Sequence, residues 1–246
     1  MTVGSSGTGG GFNKFMAGET DINDASRPVK SEEAEKGKAA GIEFLEIPVA
    51  YDGLSIVVNP SNTFVDYLTI AELKKMWEPG STVDSWNDIR AEWPDVPLHL
   101  YGPGTDSGTF DYFTETVVGA TGSARPDYTA SEDDNILVQG VEGDEGALGF
   151  FGFAYYEASA DKLKLVPVDG GKGPVTPTVA TIADGTYAPL SRPLFIYVSK
   201  ASAARPEVRA FVEFYLDTVP TIAADVGYVS LPAEMYTSGK SAFANF

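Results

Sequence analysis

Leu98-His99-Leu100-Tyr101-Gly102-Pro103-Gly104-Thr105-Asp106-Ser107-Gly108-Thr109-Phe110-Asp111-Tyr112-Phe113 reads as a strand, a turn-rich loop over residues 102–108 and the start of a helix at Thr109. A related order opens the chain, where a glycine cluster at residues 7–11 precedes Phe12-Asn13-Lys14-Phe15-Met16. The apolar positions 12, 15 and 16 share one helical face, so a glycine loop again leads into a helix.

Outward from these segments the alternation continues. Residues 42–49, 54–58, 147–151 and 163–168 read as strands, and the apolar run 193–198 as a strand buried on both faces. Thr69 followed by Glu72 has capping-box spacing, so a helix should run to about Trp77 and stop before Pro79. Pro206 should start another, with Val208, Phe211, Val212, Tyr215 and Leu216 on its packed face. Strands and helices in alternation predict an α/β fold, and no internal repeat is visible.

Composition narrows the function. The 246 residues carry 17 Lys+Arg against 35 Asp+Glu, a formal charge of −18, which argues against nucleic acid as a partner because phosphates are neutralised by clustered Lys and Arg. An acidic surface serves solubility, and a chain this negative can attract an anion only through a local site of N–H groups, hydroxyls or an arginine. With no cysteine, thiolate nucleophiles, thiolate metal sites and disulfides are excluded. His99 is the single histidine, so His-based triads and His-rich metal centres have almost nothing to use. No apolar run is long enough for a transmembrane helix, and residues 1–6 lack the pattern of a secretory signal.

Two loops carry the chemistry, residues 4–11 (Gly4-Ser5-Ser6-Gly7-Thr8-Gly9-Gly10-Gly11) and 104–109. Each sets hydroxyls and glycines at the start of a helix, where unpaired N–H groups and the helix dipole favour an anion. Glycine lets the main chain approach, while Ser and Thr add O–H donors. Each loop is also readable as a plain helix cap. Neither has the Gly-Lys-Ser/Thr ending of a nucleotide P-loop, and the second has no Gly-x-Ser-x-Gly elbow for serine hydrolysis. The arrangement needs no metal and no cofactor.

Ser6-Gly7-Thr8-Gly9-Gly10-Gly11-Phe12, Asp21-Ile22-Asn23-Asp24-Ala25-Ser26-Arg27-Pro28 and the segment from Tyr101 through Phe110 together resemble the phosphate-binding proteins of ABC transporters. Ala50-Tyr51-Asp52-Gly53-Leu54, residues 77–86, residues 128–135 and Gly146-Ala147-Leu148-Gly149-Phe150 continue the likeness, which is nearest to a branch with cyanobacterial members and covers nearly the whole chain. The resemblance implies a two-lobed periplasmic-binding-protein (Venus flytrap) fold of type II, with the ligand in the inter-lobe cleft. The lobes are expected to be discontinuous, residues 1–57 with 194–246 and residues 58–193.

Carried over by position, the resemblance implies phosphate donors at Ser6, Thr8 and Gly9 in the first lobe and at Ser107, Gly108 and Thr109 in the second. Ser26 stands where relatives often place an aspartate that accepts the proton of bound phosphate, and Asp106, or in second place Asp52, is the substitute for that role. Pro103 stands near the position of a family arginine, so Arg27 is expected to supply the cation from the opposite lobe; the plainer reading pairs Arg27 with Asp24 or Asp106. Relatives also carry, before the part that corresponds to Thr2, a strand and helix whose loop adds ligands, and the chain is expected to lack them. The implied partners are inorganic phosphate and the permease and ATPase of an ABC transporter, bound by a monomer in the periplasm or outside the cell. The competing classes are a phosphate-ester enzyme, for which Glu132-Asp133-Asp134 is the only Mg²⁺ or Ca²⁺ candidate, and an adhesion or signalling protein on the same fold.

Overall fold

The computed structural model of the chain describes residues 1–4 and 6–246. Its elements begin with α1 (Thr8–Met16), β1 (Ile22–Ala25), α2 (Ser31–Ala39) and β2 (Phe44–Val58). Then come β3 (Leu68–Thr69), α3 (Ile70–Trp77), β4 (His99–Pro103), α4 (Gly108–Phe113), β5 (Thr129–Ser131), α5 (Asp134–Gly143), β6 (Ala147–Gly152) and α6 (Phe153–Glu157). The last are β7 (Lys164–Leu165), β8 (Val168–Asp169), β9 (Pro174–Val175), α7 (Val179–Ala183), β10 (Ser191–Ser199), α8 (Lys200–Ala203), α9 (Pro206–Ile222) and α10 (Ala233–Ala244).

Two compact units result, Met1–Tyr51 with Arg192–Phe246, and Asp52–Ser191. The division expected from the sequence lay at 57/58 and 193/194, whereas these units part within β2 and at the first residues of β10.

In the first unit β1 pairs antiparallel with β10, Ile22 opposite Val198 and Ala25 opposite Phe195, and β10 neighbours β2. Strand alternation sorts β10 cleanly. Phe195 and Tyr197 meet Phe12, Phe15 and Met16 of α1, while Ile196 and Val198 meet Val208, Val212 and Leu216 of α9 and Phe243 of α10. Burial on both faces is why this strand reads as one apolar run. The face predicted for α9 is the one that packs, with Phe211 and Tyr215 partly buried beside it.

In the second unit β2 pairs antiparallel with β6, Leu54 opposite Gly152 and Val58 opposite Leu148. Strand β6 runs parallel to β4, and β4 parallel to β5. Helix α5 closes one face through Leu137, Val138 and Val141 against Val57 and Phe151. The predicted box forms at α3: Thr69 Oγ1 accepts from Glu72 N at 3.1 Å, and Thr69 N donates to Glu72 Oε2 at 2.8 Å. Trp77 is fully buried, edge-on to Phe113, Tyr128 and Phe150 at 5.3, 5.3 and 4.9 Å. This aromatic cluster lies against Gly102, where a Cβ would stand 2.6 Å from Phe150 Cε1, and so seats the end of β4 from which the second loop departs.

Two strand expectations change. Residues 42–49 and 54–58 are parts of one 15-residue strand, β2. Gly53, inside it, serves close packing: a Cβ there would lie 2.5 Å from Ile182 Cδ1. Residues 163–168 split between sheets instead of forming one strand. Leu165 pairs with Val57 on β2, and Val168 pairs with Leu68 on β3. Pro167, with no N–H to give a ladder, stands at the changeover, its carbonyl accepting from Leu68 N at 3.0 Å.

Candidate oxyanion-binding site

Helix α1 starts at Thr8, four residues before Phe12, so Gly9, Gly10 and Gly11, expected in the loop, belong to its first turns. Gly7 is its N-cap and offers no side chain, so the first-turn N–H groups lack the usual capping oxygen. Ser5 lies outside the described residues. Ser6 folds over the first turn, close enough that a Cβ on Gly10 would meet its Oγ at 3.3 Å. Gly11 touches β1, where a Cβ would fall 2.2 Å from Asn23 Oδ1. At Gly9 the nearest atom to such a Cβ is Arg27 Nη2, at 3.9 Å. The glycines therefore do separate work: Gly11 admits the strand, Gly10 admits Ser6, and Gly9 leaves the first turn open.

Ser26, one residue after β1, arrives beside the head of α1. Its hydroxyl lies 3.0 Å from Thr8 Oγ1, and its N–H donates to the same oxygen at 3.3 Å. Arg27 follows Ser26 in the chain. It makes a bidentate bond to Glu33 at 2.9 and 2.8 Å, donates to Pro28 O at 3.1 Å, and lies over the Phe12 ring. Glu33 is also the residue that caps α2, since its Oε2 accepts from Lys30 N at 2.8 Å. The Arg27 guanidinium holds the Glu33 carboxyl below the usual carboxylate range.

The guanidinium that does reach the hydroxyl pair is Arg192 at the start of β10, whose Nη1 donates to Ser26 Oγ at 3.0 Å. Sequence reading passed over it. The available signal was a single charged residue at the mouth of an otherwise apolar run, which local spacing cannot connect to a loop 166 positions away.

In the second unit Ser107 caps α4. Its Oγ accepts from Thr109 N at 3.1 Å, and its N–H donates to Gly104 O at 3.1 Å. The cap reading thus holds, and it is compatible with ligand binding, because a hydroxyl that accepts from the backbone keeps its own hydrogen to donate. Nothing stands within 4 Å of a Cβ placed on Gly108. Gly104 is needed for Glu132, whose Oε1 would be 2.0 Å from an added Cβ and accepts from Asp106 N at 3.4 Å. Asp106 itself is exposed.

The acidic run beside this loop is structural in part: Asp133 Oδ1 caps α5 by accepting from Asn135 N at 2.9 Å. No cluster of three potential metal ligands is found among the described residues. Burial, reinforced by the charges of Asp133 and Glu132, pushes Asp134 up to about 6. An unfolded aspartate titrates near 3.9, so between roughly pH 4 and 6 the folded chain holds a proton the unfolded chain has lost. The stability this confers is complete below about pH 4 and declines as pH rises to 6. Asp134→Asn is therefore expected to raise Tm at pH 7.5 and leave it nearly unchanged at pH 4, measured by thermal melts across that range.

Comparison with known proteins gives the same direction. A family model described as a PBP superfamily domain matches residues 1–218. Protein SphX of Synechocystis is 50% identical over 246 residues, 99% of this chain and 73% of its own length. The phosphate-binding protein PstS of Staphylococcus saprophyticus is 42% identical over 98% of this chain and 74% of its own length. A possible phosphate binding protein from Planctomyces limnophilus, known as a crystal structure, is 49% identical and superposes with a TM-score of 0.92, covering 97% of this chain and 85% of its own.

Proposed function

Since the chain belongs to the PBP superfamily and, within it, to the family of the PstS phosphate-binding proteins, we propose that it is the solute-binding protein of a phosphate ABC transporter. The fold is the type II α/β fold of that superfamily, and the family is one of substrate-binding proteins, not enzymes. The single observation that carries the reading is the start of α1 on Gly7, which has no side chain to cap it, with Thr8 and Ser26 hydroxyls 3.0 Å apart beside it, in a chain of this family. Such a helix start donates hydrogen bonds and positive potential to an oxyanion without any metal.

Phosphate takes donors from Ser6, Thr8 and Gly9 in the first unit and from Ser107, Gly108 and Thr109 in the second, with Ser26 supporting Thr8. Arg27, bound to Glu33, adds charge beside the first turn of α1. Asp106 is the acceptor for the proton of bound phosphate, which sulfate lacks; two facing acceptors without a hydrogen between them reject sulfate. The chain works as a monomer in the periplasm or outside the cell and delivers phosphate to a membrane permease driven by an ATPase. No helix among the described residues is long and apolar enough to cross a membrane itself.

Calorimetric titration of phosphate into the exhaustively dialysed chain, with sulfate alongside, tests this. Saturable heat with phosphate, little with sulfate, and at least tenfold weaker binding in Ser107→Ala support it, a tenfold loss being about what one hydrogen bond to a charged group provides. Equal binding of sulfate removes the role given to Asp106, and absence of heat with either anion removes the function.

A further inference from the structure

We infer that Arg192 sets the direction of a hydrogen-bond relay, Arg192 to Ser26 to Thr8, that turns the Thr8 hydroxyl into a dedicated donor to the bound oxyanion. The inference rests on the phosphate-binding reading and adds to it a residue that positions the site through two others.

The directions follow from donor counting. Arginine has only donors, so the 3.0 Å contact of Arg192 Nη1 with Ser26 Oγ runs toward the serine. The backbone N–H of Ser26 likewise runs toward Thr8 Oγ1 at 3.3 Å. Between the two hydroxyl oxygens, 3.0 Å apart, there is room for one hydrogen, and geometry alone leaves open which residue supplies it. The charge on Arg192 decides. A hydroxyl oxygen that accepts from a guanidinium becomes a poorer acceptor and a stronger donor, so the bridging hydrogen belongs to Ser26. Thr8 Oγ1 then accepts twice, from Ser26 N–H and from Ser26 O–H, and its own hydrogen points elsewhere.

Thr8 is the first residue of α1, beside first-turn N–H groups to which the N-cap Gly7 offers no side chain. A polarised O–H there adds to those donors, so the relay gives Thr8 the role of donor to the oxyanion and leaves the proton of bound phosphate to an acceptor elsewhere. It follows also that Ser26 acts behind Thr8 instead of touching the ligand.

A double-mutant cycle read by phosphate calorimetry tests the relay on the whole chain, using wild type, R192Q, S26A, R192Q/S26A, T8V, T8V/S26A and T8S. Each of R192Q and S26A should weaken binding about tenfold, the scale of one charge-assisted hydrogen bond. Because either change interrupts the same relay, R192Q/S26A should bind no more weakly than the poorer single variant, and T8V/S26A no more weakly than T8V. T8S, which keeps the hydroxyl, should stay near wild type. Additive losses of about a hundredfold in R192Q/S26A would mean that Arg192 acts on the anion independently and would overturn the relay. So would wild-type affinity in T8V. Should R192Q fold poorly, as a thermal melt would reveal, the T8V and S26A cycle decides alone. Wild-type chain that takes up no phosphate overturns the functional reading, whereas wild-type uptake with additive variants overturns the relay only.

Discussion

Trp77→Ala should cost about 3–5 kcal/mol of unfolding free energy, the largest effect expected of any single change considered for this protein. The indole is fully buried, packed edge-on against Phe113, Tyr128 and Phe150, and Phe113 in turn stacks on Phe150 at 3.7 Å. Removing it would leave a cavity at the junction of α3, β4 and β6 that three rigid rings cannot collapse into. The indole N–H is buried and has no hydrogen-bond partner among the described residues, so its worth lies in shape and not in a polar contact. Trp77→Phe should accordingly cost much less, on the order of 1–2 kcal/mol, because it gives up packing volume but also removes an unpaired donor. Denaturant titration followed by far-ultraviolet circular dichroism gives both values. Equal losses in the two variants would show that the N–H has a partner after all. Because the cluster seats Gly102 and the end of β4, phosphate affinity should fall along with stability in Trp77→Ala.

Gly11→Ala is expected to lower stability by about 1–3 kcal/mol and to weaken phosphate binding, while Gly9→Ala leaves stability nearly unchanged. Both are helical glycines of ordinary negative φ, and alanine is the better helix former, so propensity alone predicts a gain at each. Space decides otherwise. A methyl at Gly11 would overlap Asn23 Oδ1 at 2.2 Å, and Asn23 is buried on β1 with little room to retreat, so α1 must lift from the strand. Lifting α1 separates Thr8 from Ser26, which is where binding suffers. At Gly9 the nearest heavy atom stands at 3.9 Å, so any effect of Gly9→Ala should appear in phosphate affinity alone, by crowding the open first turn. Thermal melts and calorimetry on the two variants separate packing from ligand approach. A stable Gly11→Ala would remove the account of why that glycine is there.

Much of this was legible locally. That a helix follows each glycine and hydroxyl stretch, the capping box at Thr69 and Glu72, and the packed face of α9 rest on interactions between residues a few positions apart, and such patterns are written into the chain, although α1 begins at Thr8 and takes in glycines that read as loop. The family likeness was legible as well, because several motifs in a fixed order carry far more information than one glycine loop. Where 42–49 and 54–58 were read as two strands, or the run 163–168 as one, the local pattern was the same as in the alternative and only the neighbours differed.

The sequence by itself determined the α/β class, the two glycine and hydroxyl loops that open α1 and α4, and the exclusion of thiol and histidine chemistry, since all of these depend on composition or short-range order. Tertiary structure alone decided which arginine serves the hydroxyl pair. Arg27 is adjacent to Ser26 in the chain, yet α2 brings Glu33 to it and holds its guanidinium there, while the pairing of β1 with β10 carries Arg192 across 166 positions to Ser26 Oγ. An ion pair is settled by which partner the fold places within a few ångströms, because Coulomb attraction and hydrogen-bond geometry act through space and take no account of separation along the chain.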